Sequence, residues 1–224
     1  MYLYKKEDFN MNRTMCKILA ALFGAMFILT LILVLTVDVR AIGPKGTSIG
    51  LSTLNEEFHE LTGENMFWYK ITEFLGIFSL AVAGFVAAMG LYQLITRKSI
   101  KKVDREIITA GILYVVMFLL YIFFDKVVIN YRPVIMSGET EVEPSFPSSH
   151  TMLVIVVLGS AILLILSYIK DIKIKSSAIS VLLILTAITV IGRLVCGVHW
   201  MSDIFAGVFL SLALLSLYAA YMKE

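Results

Sequence analysis

Six stretches of about 20 residues contain no charged side chain: Ile18 to Val37, Phe74 to Thr96, Ile107 to Phe124, Thr151 to Ile169, Ser176 to Gly192 and Ile204 to Met222. At 1.5 Å per residue such a run crosses about 30 Å, the thickness of a bilayer's hydrocarbon core. A spanning segment must satisfy its own backbone groups, and these unbroken apolar runs lack the alternation of a barrel strand, so each is read as a helix. Composition agrees, with 59% hydrophobic and only 16% charged residues, against about half and a quarter in soluble domains. The expected fold is all-α: one domain, residues 1–224, built as a six-span transmembrane bundle. The first run is too long for the apolar part of a secretory signal and no small-residue cleavage pattern follows it, so it reads as an uncleaved anchor.

Charge sets the expected orientation. Lys5, Lys6, Arg13, Lys17, Arg97, Lys98, Lys101, Lys102, Arg105, Lys170, Lys173, Lys175 and Lys223 fall on one side of the spans. Only Arg40, Lys45, Lys70, Lys126, Arg132 and Arg193 fall on the other. The positive-inside rule makes the first side, with both termini, cytoplasmic. The net charge of +2 therefore hides a transverse asymmetry, which suggests anionic lipid neighbours and gives no sign of nucleic-acid binding. Cys16 and Cys196 fall at opposite ends of their spans, too far apart for an intrachain disulfide.

The outer segments hold the remaining information. In Asp38 to Glu73, Leu54, Phe58 and Leu61 recur at helical spacing among polar residues, which suits a short helix in the interface plane. Trp68 and Tyr69 read as interfacial anchors, and His59 as a solvated surface histidine. In Asp125 to His150, Pro133, Pro144 and Pro147 mark a structured loop.

Lys126, Arg132, His150, Arg193, His199 and Asp203 come from three loops, yet all fall at the same ends of spans three to six. Ionisable groups so near hydrocarbon are costly enough to require pairing or function. A phosphoryl group in transfer spreads charge over three oxygens, which Arg132, Arg193 and Lys126 can hold. His199 and Asp203 are four apart, the spacing of one helical face, so the carboxylate can keep one imidazole nitrogen protonated while the other attacks phosphorus. His150 can protonate the departing oxygen and later accept a proton from water. Ser148, just before a helix start, can turn its hydroxyl and nearby backbone N–H groups toward an anion. With these cations and histidines available, no metal or cofactor is expected.

At these residues the chain resembles the type 2 phosphatidic acid phosphatase family, which includes haloperoxidases and glucose-6-phosphatase. Its second signature stands as Pro147, Ser148, Ser149, His150, and its third as Arg193, His199 and Asp203, with Gly192 where serine is usual. Of the first, Arg132 and Pro133 are present, but Asp125 occupies the lysine position and Lys126 follows it. The resemblance implies a multi-pass membrane enzyme that hydrolyses a lipid phosphate or diphosphate through a phosphohistidine on the extracytoplasmic side. The implied substrates are undecaprenyl diphosphate, phosphatidylglycerol phosphate or phosphatidic acid. The setting that fits the compact size and basic loops is a bacterial plasma membrane. A catalytically silent lipid-phosphate binder or transporter is the alternative that the displaced lysine and missing serine raise.

Overall fold

The structure, a computed structural model, describes residues 12–136 and 138–222. Lys5, Lys6 and Lys223, counted above for orientation, lie outside the described residues. The described residues form seven α-helices and no strand: α1 (Arg13–Thr36), α2 (Ser52–Thr62), α3 (Met66–Arg97), α4 (Arg105–Lys126), α5 (Ser149–Tyr168), α6 (Ile172–Val195) and α7 (Met201–Tyr221). All but α2 are long and apolar enough to cross a membrane, and they match the six expected spans. The helices overrun the apolar runs because helical hydrogen bonding continues into polar residues that an uncharged window excludes. The largest difference is at α3, which starts at Met66 rather than Phe74. Asn65 caps it, its side chain accepting from the N–H groups of Phe67 and Trp68 at 3.2 Å each.

Helix α5 is the centre of the bundle, in contact with α3, α4, α6 and α7, while α1 lies along α7. Burial follows: 56% of the apolar window of α5 is inside the protein, against 17% in α1, so α5 faces other helices and α1 faces outward. Phe27, Phe124 and Phe146 pack their rings together beneath the α4–α5 loop, with centroids 5.9 to 6.2 Å apart. The outer faces keep Ile77, Phe85 and Ile95 of α3 and Ile112, Val115 and Phe118 of α4 exposed. An apolar surface so extensive belongs against lipid chains, since soluble monomers keep such patches to a few hundred Å².

The short α2 forms where the Leu54, Phe58 and Leu61 spacing predicts, with Leu61 81% exposed. It is pinned to the start of α7 by Asn55, whose amide donates to Ser202 Oγ at 2.9 Å and accepts from the Ser202 N–H at 3.1 Å. His59 departs from expectation: it is half-buried, its ring 5.5 Å from that of Trp200. The docking of α2 on α7 turns this face inward. Both cysteines are buried and free.

Candidate active site

The α4–α5 loop doubles back on itself. Arg132 N–H donates to the Glu143 carbonyl at 2.9 Å, Ser145 N–H to the Asn130 carbonyl at 2.9 Å, and Tyr131 bridges to Pro144 between them. Trp200 Nε1 donates to the Tyr131 carbonyl at 2.7 Å, which ties this return to the α6–α7 turn. Ser148 caps α5, accepting from Thr151 N–H at 3.4 Å, while its own N–H donates to the Asp203 carbonyl at 3.0 Å. The beginnings of α5 and α7 are therefore stitched together. Arg193 occupies the last turn of α6, and Gly197, at φ 74°, turns the chain toward His199 and the cap residue Trp200.

These connections gather Arg132, His150, Arg193, His199 and Asp203. The Arg193 side chain is 1% exposed and pairs with Glu73, which also lies 3.0 Å from His150 Nε2. The Arg193 guanidinium stacks 5.1 Å from the Tyr69 ring centroid. Asp203 is fully buried and accepts from Asn130 Nδ2 at 3.2 Å and from Trp200 N–H at 3.1 Å. Burial, together with the nearby guanidiniums of Arg132 and Arg193, holds His199 well below the ordinary histidine pKa. Its imidazole is neutral at pH 7, the form a nucleophile needs. Arg132 Nε, Arg193 Nε and Nη1, and both ring nitrogens of His199 are buried without a hydrogen-bond partner among the described residues. Leaving such groups unsatisfied costs about 1–3 kcal/mol each, and more for charged ones, and a cluster of unpartnered donors of this kind has the chemistry to hold an anion.

Three expected details differ. Asp203 lies 3.8 Å from His199 Nδ1, longer than a hydrogen bond. The two do not share a helical face, because α7 begins only at Met201 and the Asp203 carboxylate reaches back to cap it. Lys126 is not brought to the cluster: its side chain is 77% exposed and pairs with Asp125 at 3.0 Å. One residue earlier on α4 is about 100° around the helix, and Asp125 instead lines a small cavity of about 40 Å³ with Ser145, Ser149 and His199. Ser148 is fully buried and spends its N–H on Asp203, which leaves its hydroxyl hydrogen for an anion.

Gly192 acquires a reason that its sequence position did not suggest. A Cβ there would fall 2.6 Å from Thr72 Cγ2 and 3.1 Å from Trp68, so the serine usual at this place is excluded by the close approach of α3. Trp68 and Tyr69, half-buried at the start of α3, lie against Gly192 and Arg193 respectively. Glu73, Tyr69 and Asn130 were not identified as site residues from the sequence; the one available signal was a lone carboxylate, Glu73, at the edge of an apolar run.

A second cavity of about 360 Å³ opens between α3, α4 and α5, lined by Ile77, Leu80, Met117, Phe118 and Leu153, with Glu73 and His150 at its polar end. An apolar slot thus meets the cluster of cations and histidines.

Residues 125–224 match the family model described as the PAP2 superfamily. Comparison with curated proteins gives no match. The fold is similar to the crystal structure of the first transmembrane PAP2 type phosphatidylglycerolphosphate phosphatase from Bacillus subtilis. The TM-score is 0.61 at 16% identity, over 90% of this chain and 93% of that one. The family match takes in every cationic, histidine and carboxylate residue of the three signatures.

Proposed function

We propose that the protein is an integral membrane lipid phosphatase that cleaves a lipid phosphate or diphosphate through a phosphohistidine, without a metal, on the extracytoplasmic side. The observation that carries this reading is the set of buried, unpartnered donors on Arg132 and Arg193 around a neutral His199. His199 attacks phosphorus as the bond to the lipid oxygen breaks, and His150 delivers a proton to that oxygen. Water then gives its proton to His150 and its oxygen to phosphorus, the N–P bond breaks, and inorganic phosphate departs. Asp203 balances the imidazolium charge of the intermediate. The guanidiniums, the start of α5 and the hydroxyl of Ser148 hold the phosphoryl oxygens. The apolar slot beside His150 suits an acyl or prenyl chain, since the leaving oxygen and the acid must lie on the same side. Phosphatidylglycerol phosphate, phosphatidic acid and undecaprenyl diphosphate all present this combination.

The test is phosphate release from a short-chain phosphatidic acid added to the outside of sealed spheroplasts. Hydrolysis is expected in EDTA and without lysis, with vanadate, a mimic of five-coordinate phosphorus, inhibiting it. Activity that needs added magnesium contradicts the metal-free mechanism. Activity seen only after lysis reverses the orientation, which otherwise puts both termini in the cytoplasm.

The α4 terminus yields a further expectation. Because Lys126 is solvated and its pair with Asp125 is exposed, such pairs being worth about 0–1 kcal/mol, Lys126→Ala should leave kcat/KM within about threefold. Asp125→Lys, which replaces a carboxylate lining the His199 cavity by a phosphate-binding ammonium, should raise it severalfold. A loss of tenfold or more in Lys126→Ala, in steady-state assays, would return Lys126 to the site.

A further inference from the structure

We infer that Glu73 is a positioning residue: its carboxylate holds Nε2 of His150 and one nitrogen of Arg193, so that His150 keeps the proton it passes to the leaving oxygen. The inference rests on the phosphatase reading above. His150 sits in a partly buried corner near Arg132 from the α4–α5 loop, Arg193 from α6 and His199 from the α6–α7 turn. Tyr121 of α4 lines the slot beside it, and the Asp203 carboxylate of α7 is turned to Asn130 and Trp200. Two guanidiniums stand near this imidazole, and a general acid must carry a proton to the leaving oxygen. Glu73, 3.0 Å from Nε2, is the countercharge.

The arrangement is built into one face of α3. Tyr69, Glu73 and Gly76 recur at intervals of four and three, the spacing of a single helical stripe. Tyr69 lies against Arg193 and Glu73 pairs with both Arg193 and His150. A Cβ on Gly76 would fall 2.9 Å from His150 Cδ2, so the missing side chain lets the imidazole lie against the helix. With Nε2 committed to Glu73, Nδ1 is the nitrogen left for chemistry. Its proton moves to the lipid oxygen as the P–O bond breaks and the N–P bond to His199 forms. The proton of the attacking water later returns to Nδ1 as the N–P bond breaks. Glu73 itself neither gains nor loses a proton.

The experiment measures kcat/KM against pH for the purified full-length protein in detergent, with a lipid monophosphate and with p-nitrophenyl phosphate. Glu73→Gln keeps a hydrogen-bond acceptor for Arg193 and removes only the charge. The basic limb for the lipid substrate, where the general acid loses its proton, should move down by about one pH unit or more. The aryl substrate, whose leaving group needs little protonation, should show a much smaller change and so reports that the variant is folded. Glu73→Asp should restore the position of the limb, and Glu73→Gln should add nothing on the lipid substrate once His150 is alanine. An unshifted limb, an equal loss on both substrates, or a lowered KM with undiminished kcat, the mark of a carboxylate that merely competes with phosphate, overturns the inference. If the parent protein releases phosphate from neither substrate, the phosphatase reading itself falls, a result distinct from any of these.

Discussion

Replacing His199 by alanine should abolish turnover for every phosphate ester tested, lowering kcat by at least ~10⁴-fold whatever the leaving group, as expected when the nucleophile of a two-step mechanism is removed. The structure gives this residue the properties the role requires. It is buried, neutral at pH 7, flanked by two guanidiniums and free of competing hydrogen bonds among the described residues. Because neither ring nitrogen has a hydrogen-bond partner within 3.5 Å among the described residues, the alanine variant breaks no such bond and should remain folded. Retained vanadate-dependent thermal stabilisation of His199→Ala would show that the anion site survives while catalysis does not. Slow but measurable turnover, with unchanged dependence on the leaving group, would instead point to direct attack by water. A silent lipid-phosphate binder would be indifferent to the substitution, since it has no turnover to lose.

His150→Ala should divide substrates by leaving group. A lipid alkoxide departs with difficulty, and general acid catalysis typically contributes about 10² to 10⁴ in rate. The phosphorylation step should fall by about that factor for a lipid monophosphate and by far less for p-nitrophenyl phosphate. The place of His150 supports the division, because it stands where the apolar slot meets the cluster of cations and histidines. Stopped-flow release of p-nitrophenol, compared with phosphate release from the lipid, measures the two. An equal loss on both would mean that His150 binds phosphate rather than protonating the leaving oxygen.

Much of this architecture was legible in the sequence, and the reasons for the remainder are physical. The spans could be read because a bilayer imposes length and hydropathy together, and Arg132, His150, Arg193, His199 and Asp203 could be read because charge at the hydrocarbon boundary demands an explanation. The first turns of α3 could not, since Lys70 and Glu73 end the uncharged run although the helix continues through them to Met66. With that extension went the inner stripe of Tyr69, Glu73 and Gly76, and the reason for glycine at 192. The register at the end of α4 was also ambiguous. Asp125 and Lys126 differ by one position, and only the helix rotation decides that the carboxylate faces the His199 cavity while the ammonium faces solvent. Asn130 has no pattern around it, and its bond to Asp203 exists because the loop returns on itself, a pairing no local spacing encodes.

The covalent intermediate is the most direct point of contact between this account and experiment. In His150→Ala the water that should resolve the intermediate lacks its base, so phosphoenzyme formed from an aryl phosphate should accumulate. Rapid acid or base quench of that variant with ³²P-labelled aryl phosphate, followed by peptide mapping, makes the measurement. The account predicts label on the peptide carrying His199, stable in base and lost in acid, as a phosphoramidate is, and none in His199→Ala. Label that persists in His199→Ala, or that is stable in acid as a serine phosphate is, would contradict it.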